Sequence, residues 1–148
     1  MKQTKTRMRL CTALLVLNVL FIWGNSLLPS QISGAISGWV RDVLSAILGG
    51  GDGQAPIISG DGVLRKIAHF IEFACLGAGF GWLLAMLKKP VAYSLLCGFT
   101  VACVDETIQC FVPGRGPRIT DVLLDTAGVA CGLGLLLLGC AIYQKNKK

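Results

Sequence analysis

The sequence is short of charged residues and of the residue patterns that build metal or disulfide frameworks. Only 15% of its 148 residues are Asp, Glu, Lys or Arg, and it has a single histidine. Its seven cysteines form no Cys-x-x-Cys pair, which argues against a zinc site and against a disulfide framework. All seven lie within apolar stretches, so we predict that they are small, buried apolar side chains.

Long apolar blocks dominate the sequence and predict transmembrane helices. Hydrophobic residues make up 53% of the chain and the mean hydropathy is +0.66, which is too apolar for a soluble domain of this size. A bilayer core needs about 20 helical residues, and lipid offers the backbone no hydrogen-bond partners. The blocks lack the alternation of barrel strands. We therefore predict an all-α membrane protein, a single domain over residues 1–148 with a bundle of four transmembrane helices. These spans are residues 10–28, 67–87, 91–112 and 122–143.

The distribution of positive charge predicts the orientation of this bundle. With both termini in the cytoplasm, nine of the fourteen Lys and Arg residues lie inside and five outside, as the positive-inside rule expects. Membrane topology thus accounts for the net charge of +6, and we predict no nucleic-acid partner. The first block also resembles a signal peptide, but no clear cleavage site follows, so we expect an uncleaved anchor.

The connection between the first two blocks contains a different kind of helix. From Ile32 to Leu48, apolar residues recur with i, i+3, i+4, i+7 spacing, which predicts an amphipathic helix over residues 31–48. It is too short to span comfortably, so we expect it to lie in the outer interface of the membrane. Packing across the mouth of the bundle is the alternative. A flexible glycine-rich link, residues 49–53, follows it.

Ionisable residues gather at one end of the predicted bundle. The second block runs inward and the third runs outward, so the start of the second, the end of the third and the start of the fourth share the outer end. Ionisable groups within spans are costly and usually face the bundle interior or water, which makes them functional candidates. Spacings of three or four residues place them on shared helix faces. The candidates are Lys66, His69, Glu72, Asp105, Glu106, Gln109, Arg115 and Asp121.

A structural role for the same residues stays open. Ion pairs between the basic and acidic members can hold the helices together, and Asp121 can act as an N-cap or as a favourable charge at a helix N-terminus. Glycines with small-xxx-small spacing predict close packing of helices within the bundle. They are Gly77 with Gly81 and Gly128 with Gly132.

Three segments at this outer end resemble motifs of the VanZ-like family. Residues 65–77, which read RKIAHFIEF and then LG, resemble its KxxHFxEY…LG motif. Residues 105–115 resemble its DExxQ-FxPGR segment, and residues 121–128 resemble its Dv…NxxG segment, in the same order and spacing. Two positions depart from the pattern, since Phe73 replaces the usual Tyr and Asp125 stands where Asn is common.

The resemblance implies a bacterial protein of the cytoplasmic membrane whose biochemical activity is poorly defined. The family's namesake is associated with low-level resistance to the glycopeptide teicoplanin, although many relatives lie outside resistance clusters. The positions that match the family motifs point to the same eight candidate residues. Membrane lipids are the expected partners. The sequence does not indicate which oligomeric state the protein adopts.

Three functions stay open at this stage. The first is to bind or alter an anionic envelope component at the outer face of the membrane and so lower susceptibility to glycopeptides such as teicoplanin. Arginine suits the phosphate geometry of such a component. The second is a membrane-embedded enzyme acting on a phosphate-containing envelope lipid, with His69 as a general base. No cofactor is established, but a divalent cation held by Asp105, Glu106 and Asp121 would fit that chemistry. A transporter is the least expected, because no charged path crosses the predicted bundle.

Overall fold

Helices are the only regular secondary structure in the described part of the chain. The computed structural model describes residues 2–47 and 61–147, and no strand occurs within these ranges. This confirms the prediction of an all-α protein. The five helices are α1 (Lys2–Ser26), α2 (Ser30–Ile47), α3 (Asp61–Met86), α4 (Tyr93–Gln109) and α5 (Ile119–Lys145).

Three of these helices are long and apolar enough to cross a membrane. The qualifying stretches are Gln3–Ser26, Gly62–Met86 and Ile119–Lys145. Each of these helices begins before its predicted apolar block. Hydropathy marks the lipid-facing part of a helix, whereas the backbone hydrogen bonds that define the helix extend beyond that part. Polar residues at the start of a helix extend it beyond the block.

The third predicted span, residues 91–112, corresponds to a shorter helix. α4 has 17 residues, which is about 26 Å at 1.5 Å per residue. It begins after a turn in which Lys88 has φ of 56°, and Gly114 has φ of 75° in the turn that follows α4. Turn residues therefore occupy both ends of the apolar block, and the helix is shorter than hydropathy alone predicts.

α3 is the central helix and contacts each of the other four. Asn25 near the end of α1 bonds Glu72 near the start of α3, whereas Cys11 lies beside Gly79, so α1 and α3 are antiparallel. Contacts between residues of other helix pairs likewise show that α3 and α5 run parallel and that α4 runs antiparallel to both. The central buried apolar side chains are Leu15, Ile22, Phe73, Leu76, Ala102 and Val129.

Glycines bring the backbones of α3 and α5 into direct contact. A Cβ atom at Gly77 would overlap the carbonyl group of Val129, and one at Gly132 would overlap the carbonyl group of Ala74. These small residues let the two helices approach more closely than side chains normally allow. The predicted close packing through glycine therefore occurs within the chain.

A helix, α2, occupies most of the segment for which an amphipathic helix was predicted. It covers Ser30–Ile47, so the predicted start at residue 31 is close, whereas Leu48 and the glycine-rich link over residues 49–53 lie outside the described residues.

α2 packs against the bundle through both small polar and apolar side chains. The backbone N–H of Ser30 lies 3.5 Å from the carbonyl oxygen of Pro113, and α2 contacts α3. Ser33 and Ser37 line a groove against α3. On the outward side, the apolar side chain of Trp39 is 68% exposed. The helix therefore covers one side of the bundle mouth and presents apolar residues to its surroundings.

The cysteines correct one sequence-based prediction. All seven are free, which agrees with the absence of a disulfide framework. The prediction that they are buried is wrong, because Cys75, Cys110, Cys131 and Cys140 are exposed and the other three are half-buried. On the apolar outer faces of long helices, a cysteine acts as a small apolar side chain without lying inside the protein.

The contact between α3 and α5 predicts that adding one methyl group destabilises the fold. Gly132→Ala would force the two backbones apart, and overpacking of this kind costs about 1–3 kcal/mol. Gly134→Ala is the matched control on the same helix, because Gly134 is exposed and has open space around its Cβ position. We expect thermal unfolding in detergent to occur several degrees lower for Gly132→Ala only. Equal midpoints for both variants would contradict the packing.

Candidate functional site

Polar side chains from four helices and one loop meet at one end of the bundle. α3 and α5 begin at this end, and α1 and α4 finish there, so residues far apart in sequence share one depth. The structure brings together all eight candidates predicted from the sequence. They are Lys66, His69 and Glu72 on α3, Asp105, Glu106 and Gln109 on α4, Arg115 in the following loop, and Asp121 on α5.

The centre of the site is a histidine between two buried carboxylates. His69 Nδ1 lies 3.9 Å from Asp105 Oδ2 and 3.8 Å from Asp125 Oδ2. Asp105 is fully buried and Asp125 is 1% exposed. The ring of His69 stacks on Phe73, with centroids 6.4 Å apart and planes inclined by 17°. Three ionisable groups from three helices therefore share one small, dry volume.

Gln109 connects this centre to α1. Its Nε2 donates to Asp105 Oδ2 at 2.9 Å and to the hydroxyl oxygen of Ser26 at 3.3 Å. Both partners are buried, so these bonds form away from water, where a missing partner costs about 1–3 kcal/mol. The amide fixes the orientation of the Asp105 carboxylate and joins the ends of α1 and α4.

The rim of the site is held by one ion pair and one backbone contact. Lys66 Nζ lies 3.5 Å from Asp121 Oδ1, but the lysine side chain is 47% exposed, so solvent weakens the pair. Glu106 Oε2 accepts a hydrogen bond from the backbone N–H of Arg118 at 2.8 Å, at the N-terminus of α5. Asp121 also lies in the first turn of α5, where negative charge is favourable.

A second network ties Arg115 to α1 and not directly to a carboxylate. Arg115 Nη2 donates to the carbonyl oxygen of Asn25 at 3.2 Å, and Asn25 Nδ2 donates to Glu72 Oε1 at 3.1 Å. Nε and Nη1 of Arg115 are buried and have no hydrogen-bond partner among the described residues. Burial lowers the pKa of the Arg115 guanidinium from its usual value, and the positive charge of Arg65 lowers it further.

Two of the cavities that described residues line lie at this end of the bundle. The smaller measures about 20 Å³ and borders the buried centre, with His69, Glu106 and Asp125 in its wall. The larger is a groove of about 370 Å³ between α2, α3 and the loop after α4. Arg65, His69, Glu72 and Arg115 form its polar end, and most of its remaining surface is apolar.

Four residues of the site were not among the eight candidates, although the sequence already places Asp125 with Asp121 on one face at the start of the fourth predicted span. Asn25 and Ser26 close the α1 side, Asp125 faces His69, and Arg65 borders both cavities. The same topology argument could have found Asn25 and Ser26, because the first block runs outward and ends with these polar residues. Asp125 lies one helical turn beyond Asp121, and like Asp121 it is an ionisable residue near the start of a predicted span.

Comparison with known families identifies the chain. The profile of the family described as VanZ/LLP1 matches residues 10–140. The chain belongs to the VanZ/LLP1 family. No curated protein and no solved structure matches it.

The match confirms the resemblance that the three motifs indicated. It includes every residue of the site described above, and it also covers most of α1 and all of α2. The N-terminal half of this VanZ/LLP1 chain, which carried no diagnostic motif, is therefore part of the family domain. Within that half, Asn25 and Ser26 contribute directly to the site.

Proposed function

We propose that this VanZ/LLP1 protein binds a phosphate-bearing envelope amphiphile at the outer face of the bacterial cytoplasmic membrane. The observation that carries the proposal is the groove between α2, α3 and the loop after α4, which combines two arginines with an apolar wall. An amphiphile has the same two parts, an anionic headgroup and a hydrocarbon chain. Binding or altering this component is how we expect the protein to lower susceptibility to glycopeptides such as teicoplanin.

The polar end of the groove has the chemistry of an oxyanion site. The positive charge of Arg65 is close enough to lower the pKa of the Arg115 guanidinium, and both arginines border the groove. Two of the three guanidinium nitrogens of Arg115 have no acceptor among the described residues. A phosphate group would relieve the repulsion and accept these hydrogen bonds, and arginine matches its geometry.

The apolar wall of the groove suits a hydrocarbon chain. It is formed by Leu28, Ile36 and Val40 on one side and by Ile67 and Ile71 on the other. Ile36 and Ile71 are about half exposed, so this surface continues onto the outside of the protein. A lipid tail could therefore enter from the bilayer without crossing the polar centre.

The proposed orientation requires α4 to cross the membrane as a fourth span. α4 is antiparallel to α3 and α5, so the chain needs it to return to the end where α5 begins. Its length of about 26 Å, together with the adjoining turn residues, approaches the hydrocarbon thickness of about 30 Å. With four crossings both termini lie on the same side of the membrane, and the distribution of positive charge favours the cytoplasmic side, so that the site faces outward.

An enzymatic function is the second candidate, and His69 is the observation in its favour. The ring faces Asp105 and Asp125 and also borders the groove, so a base oriented by carboxylates lies beside the proposed phosphate site. Hydrolysis or transfer on a lipid phosphate would follow from this arrangement. A transporter ranks third, because the buried ionisable side chains of the described ranges all lie at one end of the bundle.

Cysteine labelling tests the orientation. In a cysteine-free background, Gly116→Cys lies in the loop after α4 and Lys89→Cys in the turn before it, and both positions are exposed. We expect a membrane-impermeant maleimide to label Gly116→Cys on intact cells and Lys89→Cys only after permeabilisation. Labelling of both from the same side would show that α4 does not cross.

Teicoplanin susceptibility tests the function. In a Gram-positive host, we expect the intact chain to lower susceptibility at least twofold, and Arg115→Ala, Glu72→Gln and His69→Ala at equal membrane abundance to abolish the effect. Lys89→Ala is the control, because it removes a positive charge far from the groove. If the variants protect as well as the intact chain, the cluster is structural. If the intact chain gives no protection, the glycopeptide proposal is wrong.

A further inference from the structure

We infer that His69, Asp105 and Asp125 form a binding site for one divalent transition-metal ion, of which zinc is the probe of choice. One imidazole nitrogen and two carboxylate oxygens, each from a different residue, lie within 4.8 Å of one another. The inference does not rest on binding of an amphiphile in the groove. It also differs from the acidic set Asp105, Glu106 and Asp121 that the sequence indicated.

The distances allow the three side chains to close on a metal with little movement. Two ligand atoms at zinc-bond lengths and a tetrahedral angle are about 3.4 Å apart. The observed separations from His69 Nδ1 are 3.9 Å to Asp105 Oδ2 and 3.8 Å to Asp125 Oδ2. A contraction of about half an ångström in each of these two separations, through side-chain rotations, would give the spacing of zinc ligands, and the two carboxylate oxygens lie within 4.8 Å of each other.

Unsatisfied oxygen atoms provide the second, independent observation. Both carboxylate oxygens of Asp125 and Oδ1 of Asp105 are buried and have no hydrogen-bond partner among the described residues. These residues are 1% and 0% exposed, so bulk solvent does not reach them. Buried acceptors without a donor are costly, and a cation supplies the missing interaction.

Among the described residues, the positive charges nearby do not balance the two carboxylates when both are ionised. Lys66 is paired with Asp121 and is about half exposed. Arg115 directs Nη2 to the carbonyl oxygen of Asn25. His69 can contribute at most one positive charge beside two buried negative ones, whereas a divalent cation with a neutral imidazole neutralises both.

The surroundings of the trio have further properties of a metal site. Gln109 donates to Asp105 Oδ2 at 2.9 Å and so orients this carboxylate, as partners of metal ligands commonly do. The cavity beside His69 and Asp125 measures about 20 Å³, which is room for about one water molecule. Three protein ligands with an open fourth position are typical of catalytic zinc, and one histidine with carboxylates also accommodates manganese or iron.

Metal analysis of the purified full-length protein tests the inference. After removal of metals with a chelator and incubation with micromolar Zn²⁺, we expect about one equivalent per chain, measured by mass spectrometry of the metal. Asp125→Asn and His69→Ala should weaken zinc binding at least tenfold. Asp121→Asn and Glu106→Gln are the controls, because they remove acids of the alternative set and should leave the stoichiometry unchanged.

Each result supports or overturns the inference. Loss of zinc binding in Asp125→Asn, together with its retention in Asp121→Asn, supports the inference. Asp125→Asn preserves the shape of the side chain, so it still tests the site if His69→Ala fails to fold. Substoichiometric zinc in the intact chain, or equal zinc in Asp125→Asn, overturns it. Zinc should also raise the thermal unfolding midpoint of the intact chain and leave that of Asp125→Asn unchanged. Because no amphiphile is added, the outcome is separate from that of the susceptibility assay.

Discussion

Burial of two carboxylates at the end of a small helical bundle is the constraint that organises this protein. A carboxylate out of water is tolerated only when hydrogen bonds, a cation or a proton compensate it. Asp105 obtains one hydrogen bond from Gln109 and shares His69 with Asp125. Three helices must therefore keep a fixed register at this end, because these groups come from α3, α4 and α5.

Helix packing below the site sets that register. Val129 lies one turn below Asp125 on α5, and its backbone touches Gly77 on α3 while its side chain fills the space left by Gly98 on α4. Gly98 precedes Asp105 by seven residues, two turns along the same face of α4. The glycine contacts thus fix α5 between its neighbours and bring Asp125 and Asp105 to the two sides of His69. Packing that looks purely structural places the ionisable groups.

Much of this arrangement could be predicted from the sequence, and the misses have physical causes. Apolar block length located the helices, and the direction of each block brought the eight candidate residues to one end. Hydropathy could not show that α4 is short, because the turns at its ends are also apolar. The individual side-chain contacts could not be predicted either. The sequence does not reveal that Arg115 contacts the carbonyl group of Asn25, or that Lys66 pairs with Asp121.

The central claim is that the two arginines and the apolar groove bind a phosphate-bearing amphiphile. Native mass spectrometry of the intact protein, released from detergent with equal amounts of phosphatidylglycerol and a neutral diacylglycerol, tests it most directly. The account predicts that one phosphatidylglycerol is retained preferentially, that Arg65→Ala and Arg115→Ala reduce retention several-fold, and that Lys89→Ala does not. Equal retention of both lipids, or equal retention of phosphatidylglycerol by all variants, would contradict it.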